Sequence, residues 1–228
     1  MNRSISFSVD RDFVQQDTDA LLLLSTLCLL SVGTSRANPC WWAPGFKSIL
    51  SAIATLSDVA LLLVDNKGST PESTILSVLP VVQSFMFAKN RIPNSLRQQI
   101  KEVCCRYVFA HGYRYYDPEF KKHSEALAAE DTNIQSILPT LGSDDSPISS
   151  ERRVEGHLRF TWYRRDTSPS VDVAQRTLDL AKSSGSDSYI TEALCALGRV
   201  YYQVSKYELA EQILLESLSA FRQANRSS

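Results

Sequence analysis

Along most of this chain apolar residues return every three to four positions, the period of an amphipathic α-helix. The pattern is clearest near the C-terminus. There Ala193, Leu194, Leu197 and Tyr201 share one face, and Ala210, Ile213, Leu214, Ser217, Leu218 and Phe221 share another. Ile190–Gln223 therefore reads as two helices folded back on each other, with Gly198 and Ala210 small enough for close approach. A hairpin of this size cannot bury its own face and needs neighbours to stack on. Upstream, Ala174, Leu178 and Ala181 repeat the spacing of Ala210, Leu214 and Ser217 at an offset of 36 residues. A weaker repeat, roughly 152–185, thus precedes the clear one.

The N-terminal half is patterned differently. Ile5, Phe7 and Val9 alternate with polar residues, which predicts a strand over Arg3–Asp10. Asp17-Thr18-Asp19 offers N-cap side chains for a helix over Ala20–Leu30 that is apolar nearly all round, and Gly33 ends it. Thr34–Asn38 reads as a turn or a short helix, and Trp41-Trp42 as a loop or helix end anchored to the core rather than as a ligand platform. Phe46–Leu56 follows as a helix with Phe46, Ile49, Leu50 and Ile53 on one face. Val59–Val64 and Thr74–Leu79 read as a hairpin around the turn-rich tip Asp65–Ser73, and Pro80–Ala88 as another helix. Next, Asn94–Tyr116 carries Leu96, Ile100, Val103, Cys104, Tyr107, Val108 and His111. Phe120–Leu138 has Glu130 and Asn133 on its polar side, and Gly142–Ser150 is the clearest linker.

Composition narrows the function classes. The chain has 228 residues, 43% hydrophobic, and a net charge of −1, so no strong field attracts nucleic acid or an anionic membrane. Ala20–Val32 is too short to span a bilayer, and the aspartates before it have the wrong charge for a signal peptide. Five cysteines without a CxxC pair favour a reducing, cytoplasmic setting over a disulfide framework or zinc site. The three histidines have no metal-binding spacing, and no nucleophile motif or phosphate loop occurs. Lys67-Gly68-Ser69-Thr70 has phosphate-binding residue types in the wrong order and reads as a turn. Tyr107, Phe109, Tyr113, Tyr115 and Tyr116, with Arg106 and Arg114, could imitate a single-strand stacking surface. They read instead as the packing face of a helix. No enzymatic activity and no cofactor are expected.

The C-terminal stretch resembles a tetratricopeptide repeat. Leu197-Gly198 falls on that family's Leu-Gly pair, Tyr201 and Tyr207 on its two tyrosines, and Ala210 on its second-helix alanine. Leu194, Leu214, Ser217 and Arg222 depart from it. The N-terminal part resembles the winged-helix domain of NLR-like signalling ATPases of the STAND class (NB-ARC and NACHT proteins), an architecture common with such repeats in fungi. Ser4–Asp10, Asp19–Gly33, Val78–Phe85 and Glu130–Leu138 carry the likeness. Leu79 and Pro80 stand where the family has its nucleotide-sensing histidine and aspartate, and the nucleotide-binding module is missing.

Together these readings predict a mainly α fold: a winged-helix-like domain with a small β-hairpin (1–90), a helical connector (91–141), a linker (142–150) and a tetratricopeptide-like helical hairpin array (151–228). The resemblance implies a non-enzymatic regulatory segment acting through protein partners, with oligomerisation in a larger context. Arg199, Gln203 and Lys206 are the expected partner-binding residues. The alternatives are an independent repeat adaptor and a winged-helix DNA-binding regulator. Lys47 is the sole cation of the helix that would enter the groove of DNA, few for a phosphate surface.

Overall fold

The structure, a computed structural model, describes residues 2–66, 74–113, 116–142 and 148–224. The tip with Lys67-Gly68-Ser69-Thr70, Arg114, Tyr115 and much of the expected linker lie outside them. The chain is mainly helical with a small three-stranded antiparallel sheet. It divides into two compact units, residues 1–104 with 129–137, and residues 105–128 with 138–228. The stretch expected as a connector, 91–141, contributes to both.

In the first unit, α1 (Asn2–Val9) and α2 (Asp12–Gln16) precede the central helix α3 (Thr18–Leu29). The strand expected over Arg3–Asp10 is thus a helix. Ile5 and Val9 are also four residues apart, and the helix buries both while leaving Phe7 67% exposed. Phe7 instead lies under the Arg11 guanidinium, 5.1 Å from its ring centre. Asp17 caps α3 by accepting from the Ala20 amide at 2.9 Å. Its neighbour Asp19 is buried and accepts from the amides of Lys47 and Ser48 at 2.9 and 2.6 Å.

That contact holds residues 47 and 48 outside helix α5 (Ile49–Asp58), which Ser48 caps. The helix therefore starts three residues later than predicted. Its buried positions are Ala52 and Leu56, flanked by half-buried Ile49 and Ile53, while Leu50 is 61% exposed rather than on the inner face. The exit from α5 uses Ala60 in a left-handed conformation (φ 54°), with the Leu61 amide donating to the Leu56 carbonyl at 3.0 Å. This consumes the start of the predicted strand, so β2 runs Leu63–Asn66 and pairs with β3 (Thr74–Ser77).

The sheet has a third strand that the sequence did not announce. β1 (Thr34–Ser35) lies on the other edge of β3, opposite Leu76 and Ile75, and the short helix α4 (Pro39–Trp42) follows it with Trp42 buried. Gly33, at φ 74°, makes the approach to β1 possible: a Cβ there would stand 2.1 Å from the Leu76 carbonyl oxygen. α6 (Pro80–Ala88) and the first part of α7 (Asn94–His111) complete the local elements, with Leu96, Ile100, Val103 and Cys104 buried as their spacing predicted.

The C-terminal part of α8 (Phe120–Ile137) also belongs to this unit, and here the expected polar side is wrong. Glu130 and Asn133 are fully buried. Glu130 Oε1 accepts from Thr34 Oγ1 at 2.5 Å and from Asn38 Nδ2 at 2.7 Å, and its Oε2 from Asn133 Nδ2 at 2.7 Å. Asn133 Nδ2 also donates to the Gly33 carbonyl at 2.7 Å, while its Oδ1 accepts from the Val32 amide at 3.3 Å. The two residues face inward because they supply partners to loop backbone and hydroxyl groups that have left water.

The second unit contains the end of α7, the start of α8, a 3-10 turn (Leu138–Gly142) and four long helices: α9 (Ser150–Thr167), α10 (Val171–Ser184), α11 (Asp187–Gln203) and α12 (Tyr207–Ala224). Ser149, Ser170 and Ser186 cap α9, α10 and α11. Gly185, at φ 70°, closes α10. The helices form two consecutive hairpins around Val154, Leu158, Ala174, Leu178, Ala181, Ala193, Leu194, Leu197 and Val200. A Cβ on Gly198 would stand 2.7 Å from Leu214 Cγ and 3.4 Å from the Ala210 carbonyl, so α11 and α12 meet at these small residues. Ser217 is buried because its hydroxyl donates to the Thr191 carbonyl at 3.0 Å. Leu218 and Phe221, predicted on the same face, are 42% and 55% exposed.

Three variants test this architecture. Gly33→Ala should cost about 2–4 kcal/mol, combining a positive φ with a clash against backbone. Asn133→Ala should cost about as much, because buried groups lose their partners at about 1–3 kcal/mol each; urea denaturation measures both. Gly198→Ala should cost about 1–3 kcal/mol through overpacking against Leu214. An unchanged thermal midpoint for Gly198→Ala would place that position away from the helix contact.

Candidate functional site

A concave surface of the second unit is lined by α9, α11 and α12. Trp162 and Arg165 come from α9, Glu192, Cys195 and Arg199 from α11, and Leu214, Leu218 and Phe221 from α12. The groove encloses about 770 Å³. Along α11 the inner residues Ala193, Leu194 and Leu197 point into the core. Glu192, Cys195 and Arg199, spaced three and four apart, occupy the neighbouring stripe that faces the groove.

Trp162 is the hub. Its Nε1 donates to Glu192 Oε1 at 3.1 Å, which ties α9 to α11 and fixes the indole plane. The guanidinium groups of Arg165 and Arg199 lie 4.8 and 5.7 Å from its ring centre. Arg165 also donates to both carboxylate oxygens of Asp166. A second hollow of about 630 Å³ shares Tyr116, Trp162 and Glu192 with the first. Its further walls are Phe109, Gly112, Tyr113, Asp117, Glu155, Leu158, Arg159 and Tyr189. Arg159 bonds Glu155 at 2.8 Å and covers Phe109 at 4.8 Å. Desolvation, and then the charges of Glu155, Glu151 and Glu192, push the Tyr189 phenol above its ordinary pKa.

The three residues expected to bind a partner are not gathered at one place. Arg199 lines the groove. Gln203 is exposed at the last turn of α11, and Lys206 is exposed in the turn before α12, its ammonium 6.0 Å from the Tyr201 ring centre. Neither is among the residues lining the groove. Sequence reasoning missed Arg165, Glu192 and Phe221. Glu192 and Arg199 carry a readable signal, since polar residues seven apart on α11 mark a stripe beside the apolar one.

Of the aromatic cluster around the end of α7, Tyr107 is a core residue whose hydroxyl donates to the Ala126 carbonyl at 2.9 Å. Phe109, Tyr113 and Tyr116 instead reach the second hollow. Among the described residues no group of three metal-ligating side chains comes together. All five cysteines are free thiols. Burial pushes Cys28 up to about 12, and Cys105 up to about 11 against the opposing charges of Arg152 and Arg153. Neither is a thiolate nucleophile at neutral pH. Among the described residues no helix is long and apolar enough to cross a membrane.

No protein-family model, curated protein or solved structure matches this chain.

Thiol accessibility checks these positions. In the folded protein at pH 8, exposed Cys40 should be alkylated by iodoacetamide well before half-buried Cys195. Cys28, Cys104 and Cys105 should react only after unfolding, as read by peptide mass spectrometry.

Proposed function

We propose that this chain is a non-enzymatic protein-interaction segment, with the groove across α9, α11 and α12 as its partner surface. The observation that carries the reading is the combination of an anchored aromatic centre with an open apolar rim. Trp162 is held by Glu192 and flanked by two arginines, while Leu218 and Phe221 on α12 stay substantially exposed beside it. Buried interface centres are enriched in tryptophan and arginine, and such anchors dominate binding energy.

The tetratricopeptide-like reading of the two hairpins is part of this proposal. In its favour, Ala174, Leu178 and Ala181 are buried on α10, and the positions 36 residues later, Ala210 and Ser217, are buried on α12. A winged-helix-like, NLR-type regulatory role for the first unit is the companion proposal. It is supported by the order of α3, α4 and α5 before the β2–β3 pair and by α6 after it.

Full-chain protein should be captured with its partners by proximity crosslinking, comparing the native sequence with Trp162→Ala, Phe221→Ala and a control in the first unit, Leu50→Glu. Truncating an interface anchor costs about 2 kcal/mol, roughly 30-fold in Kd. The groove variants should show this loss and Leu50→Glu should not. Partners that survive both groove changes but are lost with Leu50→Glu would move the interaction to the first unit.

A further inference from the structure

The wall of the second hollow between α7 and α8, next to the groove, is fastened by two histidines. His111, at the end of α7, and His123, on the first turn of α8, approach through their Nδ1 atoms at 2.9 Å. Their ring centres are 5.1 Å apart, so the two nitrogens lie nearly on the line joining the rings. Lone pairs that point at each other leave room for a proton between them and do not converge on a third atom. On its far side, His123 Nε2 lies 3.1 Å from Glu119 Oε2, an acceptor that keeps the Nε2 hydrogen in place. Tyr113 stacks on His123 with ring centres 4.0 Å apart and planes within 6°. Gly112, Tyr113, Tyr116 and Asp117 are the described residues this turn contributes to the second hollow.

We propose that His111 and His123 form a proton-operated latch on this wall of the hollow beside the groove, closed while one of them is neutral and released when both are charged. The proposal rests on the groove reading above and adds its regulation. An imidazole N–H···N bond needs one donor and one acceptor. Two neutral rings satisfy it, as does a pair with one positive ring. A second proton removes the acceptor and sets two N–H groups and two charges against each other.

The ionisable and charged groups around the pair are Tyr107 on α7, Tyr113 in the turn, Glu119 and Lys122 at the start of α8, and Arg159 on α9, whose stem lies against Gly112. Burial, then His123, then Lys122 hold the His111 pKa below its ordinary 6.5. The latch's stabilisation is therefore complete above that value and is lost as pH falls through the lowered one.

The full chain tests this by NMR between pH 8 and 5. Imidazole nitrogen shifts should show the shared proton and its loss at acid pH. Amide protection factors at Gly112, Tyr113 and Tyr116–Glu119 should fall roughly tenfold at the same midpoint, the loss of about one hydrogen bond. The Trp162 indole signal, assigned with Trp162→Phe, should shift with them. His111→Gln should abolish the step, and Lys122→Gln, which keeps both imidazoles, should move it to higher pH. Flat protection factors, a step that survives His111→Gln, or a Trp162 signal indifferent to the imidazole titration would overturn the latch. No partner is needed for these readings, so their failure is distinct from a failure of the groove variants to lose a partner.

Discussion

The first unit is built around a carboxyl group that water does not reach. Burying Glu130 is tolerable only because both its oxygens find donors, and each donor constrains a different piece of chain. Thr34 must stand in β1, Asn38 must stand at the entry to α4, and Asn133 must lie one turn along α8. Asn133 in turn takes hold of Gly33 and Val32, which fixes the end of α3. Once Thr34 is placed, β1 lies along β3, and β3 carries β2 on its other edge. A two-residue strand has little pairing energy of its own, so the carboxyl group and the glycine beside it supply the reason it exists.

Much of this layout is legible in the residue pattern because helices with one wet face advertise it. α3, α6, α8, α11 and α12 appear close to their predicted bounds, α7 ends at His111 rather than running on to Tyr116, and the small residues Gly198 and Ala210 meet as their size suggests. The failures share a cause. Periodicity reports which residues are apolar, and it is silent where a polar side chain is the buried partner. Glu130 and Asn133 read as a wet face, Asp19 as a cap, and Thr34 as a turn, yet each is buried through tertiary hydrogen bonds. The start of α5 shifted for the same reason, since Asp19 claims the amides of Lys47 and Ser48. At the N-terminus three alternating apolar residues were too few to distinguish period two from period four.

The groove was only partly legible. Arg199 could be placed there from helix periodicity, but Gln203 and Lys206 run past the end of the surface as α11 closes and the chain turns. The contribution of Trp162 depends on Glu192, thirty residues away, and on two arginines from different helices. Such a constellation belongs to helix packing, and no local spacing encodes it. Leu218 and Phe221 show the converse: their spacing suits a core face, and the packing leaves them at the groove's edge.

The placement of 129–137 with the first unit has a consequence for synthesis. The bonds from Asn133 to Gly33 and from Glu130 to Thr34 close sequence separations of 100 and 96 residues. A chain emerging from the ribosome at about 5–20 residues per second exposes α3, the strands and α6 well before the group that completes them. During that interval Thr34 and Asn38 have only water for partners, and the apolar flank of α3 waits beside an unfinished sheet. The order of the genetic message thus delays the closing of the first unit, since its last piece is the C-terminal half of α8.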